Sequence, residues 1–284
     1  MGGGPEPGNT RATLLKGARA QRTPATSRLI DDWVSAGLLD APKKVGLGRG
    51  KGTEATWPDT QRKLFLALLR KRKEGARRQA TLCNVPVFIW LYWGSEYVPT
   101  RQVRRALRTW SGAYRTASRR RALHSARLVA EQFDSSQTEP GDRTALIEAI
   151  VEVGTKGQIT NDKERMELGR AFRRVFDPWG ERGEVGPPEL QLKAGAWVML
   201  VEARFAAISH YEELTHEDFE RARAIHVSAV ESYLATWPKI AKHPDVRALF
   251  AEPNLDEFAN DACQHLLTVL GMEVLRKQRQ AATG

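Results

Sequence analysis

Gly37-Leu38-Leu39-Asp40-Ala41-Pro42, then Gly46-Leu47-Gly48-Arg49-Gly50-Lys51-Gly52, then Thr53-Glu54-Ala55-Thr56-Trp57-Pro58: the fold turns on this stretch. Gly37 reads as a helix stop, and Pro42 and the glycine ribbon break any continuation. The β-branched and aromatic residues of 53–57 suit a returning strand, so a basic two-stranded hairpin is expected. Upstream, Thr23-Pro24 supplies an N-cap and a proline at the first helical position. Leu29, Ile30, Trp33, Val34 and Leu38 then follow the i, i+1, i+4, i+5, i+9 pattern of one buried face, leaving Thr26, Ser27, Arg28, Asp31 and Asp32 outward. Downstream, Pro58-Asp59 reopens a helix whose apolar stripe is Leu64, Phe65, Leu68 and Leu69, closed by Gly75.

A short helix over 12–20 precedes this stretch. After it, Asn84 is expected to cap a helix with Pro86 in its first turn, and the aromatics Trp90, Tyr92, Trp93 and nearby Tyr97 read as core. From Thr100 to Ala130 runs a long helix with nine arginines and no acid, interrupted by Gly112. Its apolar positions Val103, Leu107, Trp110 and Tyr114 alternate in fours and threes, the period of a coiled-coil seam, which Arg121 and His124 spoil. Asp134-Ser-Ser-Gln-Thr-Glu-Pro-Gly-Asp142 reads as a linker. Beyond it helices are expected near 143–153, 162–176, 189–211, 216–236 and 255–279, with a short one near 245–250. Thr215 with Asp218, and Asn254 with Glu257, have the spacing of reciprocal caps. Trp197 to Val201 is apolar nearly all round, as in a central core helix.

Charge divides the chain. Residues 1–130 hold 26 Lys and Arg against 8 Asp and Glu, and the remainder holds 18 against 26. Phosphate neutralisation needs Lys and Arg, so the amino-terminal half is the candidate surface for a polyanion. Two cysteines, Cys83 and Cys263, build neither a disulfide framework nor a four-cysteine zinc site, and a reducing, cytoplasmic setting follows as the simplest reading. The longest apolar run, Val85 to Trp93, is far short of the roughly 20 residues that cross a bilayer, so no membrane span is expected. Residues 1–10 read as a disordered leader.

Taken in order, the elements spell a winged helix-turn-helix, which lays a short helix in the major groove of DNA and a basic hairpin over neighbouring phosphates. From about Leu14 to Trp93 the chain resembles the MerR-type proteins: a first helix, a second ending in Gly-Leu-Leu-x-x-Pro at 37–42, a glycine-rich basic wing, an aromatic at its close in Trp57, and two more helices. The resemblance implies that Thr26, Ser27 and Arg28 enter the groove and that Arg49 and Lys51 meet phosphates or the minor groove. Lys43 and Lys44 beside the wing, Arg62 on the next helix, and Arg104 and Arg108 on the arginine-rich helix complete the expected DNA contacts. That family commonly has Arg and an aromatic where this chain has Asp31 and Asp32. Either the helix sits differently here or the acids read bases, since an aspartate can accept from a cytosine amino group. The resemblance also implies a homodimer paired through the long helix, against which the nine arginines speak; the same face could instead run along the phosphate backbone.

Catalytic signals are poor, and no enzyme activity is expected. The six histidines form no His-x-x-x-His pair, no Gly-x-x-x-x-Gly-Lys-Ser/Thr loop occurs, and no catalytic residue, metal ligand or cofactor is assigned. The expected class is mainly α: a leader (1–10), a winged helix-turn-helix with a two-stranded wing (11–98), a long basic helix (99–133), a linker (134–142) and an all-α effector or assembly domain (143–280). The expected function is sequence-specific binding of double-stranded DNA as a MerR-like transcriptional regulator. An excisionase-like architectural accessory protein and an adaptor for an acidic protein partner are the alternatives. Any small-molecule ligand of the carboxy-terminal domain is unknown.

Overall fold

A computed structural model of the chain describes residues 8–46, 52–76, 78–115, 138–156, 159–176, 194–242 and 252–283, with the single positions 119, 122, 123, 126, 127 and 130. The fold is mainly helical with one small antiparallel sheet, and the chain divides into two compact units. The first comprises Met1–Gly112 with Phe258–Cys263, and the second Ala113–Glu257 with Gln264–Gly284.

In the first unit, β1 (Asn9–Thr10) leads into α1 (Arg11–Ala20) and α2 (Ser27–Ser35), followed by β2 (Lys43–Gly46), β3 (Thr53–Trp57), α3 (Asp59–Lys73), α4 (Gln79–Leu82), α5 (Asn84–Trp93) and α6 (Thr100–Arg115). The sheet order is β1-β3-β2, with Asn9 opposite Trp57 and Lys43 opposite Thr56. The expected two-stranded hairpin is therefore three-stranded, because the end of the leader supplies an edge strand; positions 1–7 lie outside the described residues. Both ends of the α1–α2 turn are set by backbone geometry. Arg22, at φ +52°, closes α1 by letting the Thr23 amide reach the Ala18 carbonyl at 3.0 Å. This is why Thr23-Pro24 does not start the next helix: Thr23 completes the preceding one, and Thr26 caps α2, accepting from the Leu29 amide at 3.1 Å. Gly37, at φ +77°, ends α2 as expected, with Leu38 donating to the Trp33 carbonyl and Gly37 to that of Val34.

The core of this unit gathers Leu14, Ile30, Trp33, Leu38, Leu39, Trp57, Phe65, Leu68, Leu69, Leu82, Val87 and Trp90, each at most 1% exposed. Trp33 meets Phe65 edge to face with centroids 5.5 Å apart. Asn84 is not a cap. It lies inside the first turn of α5, its Nδ2 donating to the Thr81 carbonyl and its Oδ1 accepting from the Cys263 amide at 2.9 Å. Val103 and Leu107, expected in a seam between two copies, are fully buried in this unit, and neighbouring Gln102 donates to the Leu38 carbonyl. The remaining seam side chains from Tyr114 to Leu128 lie outside the described residues.

In the second unit, positions 119, 122, 123, 126, 127 and 130 are helical, and α7 (Pro140–Lys156), α8 (Asp162–Phe176), α9 (Ala194–Ser209), a 3-10 turn (Tyr211–Glu213) and α10 (His216–Ile240) follow. α11 (Leu255–Asn260) and α12 (Ala262–Thr283) end the chain, each running partly in the first unit. The expected linker is helical from Pro140, and the expected last helix is two, separated at Asp261. The expected 245–250 helix lies outside the described residues. Thr215 and Asp218 form the reciprocal cap, whereas Asn254 instead accepts from the Asp256 amide. Leu146, Leu168, Phe172, Val175 and Val198 form one core cluster, and Phe219, Leu266 and Leu270 are also fully buried. α9 is apolar nearly all round but not buried on every side: Val198 is buried and Met199 is 39% exposed. Among the described residues no helix is long and apolar enough to cross a membrane.

Candidate nucleic-acid interface

The first turn of α2 presents Thr26, Ser27 and Arg28 to solvent, opposite the face that buries Ile30 and Trp33. Thr26 has a prior duty, since its hydroxyl is the N-cap; Ser27 and Arg28 have no hydrogen bond or ion pair among the described residues. Further along the same face Asp31 is held by Arg11 of α1, with Nη2 to Oδ1 at 2.5 Å and Nη1 to Oδ2 at 2.9 Å. That hydrogen bond keeps the Asp31 carboxyl below its ordinary pKa, so it stays ionised and its charge is answered locally. Asp32 is exposed and makes no such bond.

The turn from α2 into the sheet is fixed by a buried polar network that centres on Asp40. Arg101 reaches its carboxylate through Nε at 3.1 Å and Nη2 at 2.5 Å, and Arg105 adds Nη2 at 3.0 Å. Its backbone carbonyl accepts from Trp57 Nε1 at 3.0 Å, and its amide donates to Gln61 Oε1 at 2.8 Å. Gln61 in turn donates to Gln102, which donates to the Leu38 carbonyl, while Thr109 donates to that of Ala36. One residue, through its carboxylate on α6 and its two backbone groups on Trp57 and Gln61, thus ties the turn after α2 to the end of β3, the start of α3 and the first turns of α6. Burial alone would raise the Asp40 pKa, but the Arg101 hydrogen bond, the Ala41 amide and the charges of Arg101 and Arg105 together lower it.

On the sheet, Lys43 and Lys44 of β2 are exposed; Arg49 and Lys51 lie outside the described residues. Arg62 is half-buried and donates through Nε to Asp59 at 2.7 Å, with Lys63 on the other carboxylate oxygen at 3.1 Å, so its charge is partly answered. On α6 Arg108 is exposed and Arg104 half-buried. The two arginines between and before them, Arg105 and Arg101, are committed to Asp40, which sequence reasoning missed. The available signal was the i, i+4 spacing of 101 and 105 on one helix face, matched to a lone acid after Leu38-Leu39.

The aromatics of α5 divide. Trp90 is core, as expected, but Trp93 is 53% exposed and Tyr97 47%, which corrects their assignment to the core. Trp93 stands against Phe88 and Tyr92 with centroids 5.9 and 6.2 Å apart. Cys83 and Cys263 are buried, and burial raises the Cys83 thiol to about 12, which leaves it protonated and a poor nucleophile. Among the described residues no group of three or more His, Cys, Asp or Glu could hold a metal ion. No family model matches this chain, and no curated protein and no solved structure matches it either.

Proposed function

We propose that this chain binds double-stranded DNA as a winged helix-turn-helix, with the outward face of α2 in the major groove and the β2–β3 hairpin over the flanking phosphates, and that it regulates transcription in the manner of MerR-type proteins. The observation that carries the reading is an exposed α2 amino-terminal turn, with Ser27 and Arg28 uncommitted among the described residues, followed in the chain by a strand whose Lys43 and Lys44 are also exposed. Recognition helices read base edges with their amino-terminal residues, and lysines beside them supply affinity without sequence information. A reducing cytoplasmic setting suits two buried free thiols.

Fluorescence anisotropy with a mixed-sequence duplex, across a range of salt concentrations, tests it. Binding is expected to weaken steeply with salt, the slope reporting about 0.9 per phosphate neutralised. Lys43→Ala with Lys44→Ala should lower affinity by a similar factor for every duplex and flatten that slope by about two. Absence of binding at roughly 50 mM salt, where phosphate contacts are strongest, refutes the reading.

A further inference from the structure

The outward face of α2 carries charges of both signs. Ser27, Arg28, Asp31, Asp32 and Ser35 are exposed at i, i+1, i+4, i+5 and i+8. Arg11 occupies Asp31, whereas Arg28 and Asp32, although i, i+4 neighbours, form no ion pair with each other or with any other described residue. A cation and an anion therefore stand one turn apart, both uncommitted. With these two and the answered Asp31, the helix face adds almost no net positive charge, so it contributes little general attraction to phosphate.

An uncommitted carboxylate in the major groove lies in the negative field of two phosphate strands and is unfavourable unless an amino group faces it. Two are available there, cytosine N4 and adenine N6, and adenine places the N7 acceptor on the same edge, which repels a carboxylate. Cytosine has no acceptor on its own groove edge. Arginine has the opposite preference and forks onto guanine O6 and N7. Four helical residues rise about 6 Å, less than two base-pair steps of about 3.4 Å, so both side chains reach the same short step. We infer that Arg28 and Asp32 together read two neighbouring G·C pairs, Arg28 on guanine and Asp32 on the cytosine N4 amine. Asp32 acts chiefly by penalising every other sequence.

This rests on the duplex-binding reading above, and the test separates the two. Duplexes bound by the wild-type chain, Asp32→Ala, Asp32→Asn and Arg28→Ala are selected from a randomised pool, and affinities are then measured on the wild-type winner and on copies with each G·C pair changed to A·T. The wild type is expected to enrich adjacent G·C pairs and to discriminate by about 5- to 100-fold at each. Asp32→Ala should bind the A·T copies more tightly than the wild type does and lose discrimination at the cytosine, because the repelling charge is gone. Asp32→Asn should shift enrichment there towards adenine. Arg28→Ala should weaken binding to the winner most. Unchanged base preference in Asp32→Ala, or salt-sensitive binding with no enriched G·C step, overturns the inference and leaves general duplex binding standing. No binding of any pool member by the wild type overturns both. Both side chains are exposed, so unaltered melting of the variants serves as the folding control.

Discussion

Asp40 shows how one residue can govern a surface it does not form. Its side chain is 8% exposed and bonds to Arg101 and Arg105 of α6, yet its carboxylate and its two backbone groups hold the turn between the candidate groove helix and the hairpin. Its partners are unequal: Arg101 is 63% exposed and Arg105 34%, so solvent screens much of the attraction and the hydrogen bonds matter more than the charges. Asp40→Asn should therefore cost about 1–2 kcal/mol rather than the full penalty of a buried ion pair, read as a lowered midpoint in urea. The cost should also depend on pH. The folded carboxyl holds its proton less tightly than the unfolded one, so its contribution is complete above the unfolded value of about 4 and fades as pH falls through the lower folded value. The gap between wild type and Asp40→Asn is expected to stay constant from pH 7 to about pH 5 and to close in stronger acid. A gap that persists unchanged until acid unfolding would show that shape, not charge, holds the turn.

At the level of elements, one close backbone approach stands inside each unit. Gly37, in the first, has a positive φ, and a Cβ there would lie 2.3 Å from the Ala106 amide nitrogen of α6. Gly271 of α12, in the second, has ordinary helical geometry, but its Cβ would fall 1.7 Å from the Ala203 carbonyl oxygen of α9. A glycine inside a helix costs roughly 1 kcal/mol relative to alanine, so Gly271→Ala would stabilise an isolated helix. Here the sign should reverse, with a loss of at least about 2 kcal/mol as α9 and α12 are forced apart, seen as a lower melting temperature of the second unit. Stabilisation would mean that the two helices do not pack as described. Gly37 and Gly271 also mark what the sequence could and could not tell. The stop at Gly37, the apolar stripes of α2 and α3 and the strand 53–57 were legible because each is a local pattern. The β1 pairing, the Asp40 network, the bond from Cys263 to Asn84 and the Arg11–Asp31 pair were not, because each joins residues at least 17 positions apart, beyond the reach of a local pattern. Trp93, at the end of α5, and Tyr97, in the turn after it, were misassigned for a related reason: aromatic density signals a core but not which of the aromatics meet it.

For the whole molecule, the two units carry unequal charge and different acid-sensitive groups. The first unit holds 21 Lys and Arg against 9 Asp and Glu and the second 23 against 25, so the excess of positive charge that suits a polyanion lies in the first. Its Asp40 carboxyl is held below its ordinary pKa and yields only in strong acid. The second unit holds His226, 5% exposed, with its ring centroid 5.7 Å from that of His265. Burial, and then the charge of His265, lowers the His226 pKa to about 4. The unfolded imidazole, near 6.5, takes up a proton before the folded one does. Stability contributed by neutral His226 is therefore complete above about pH 6.5 and falls as the pH drops towards 4. Acidification should open the molecule in two stages: the second unit loses protection first, between about pH 6.5 and 4, and the first unit follows below that range. Peptide-resolved hydrogen exchange at a series of pH values reads both stages, with α10 and α12 reporting one and α2 and α3 the other. Simultaneous loss of protection in all four helices would refute the two-stage response and make the units a single cooperative structure.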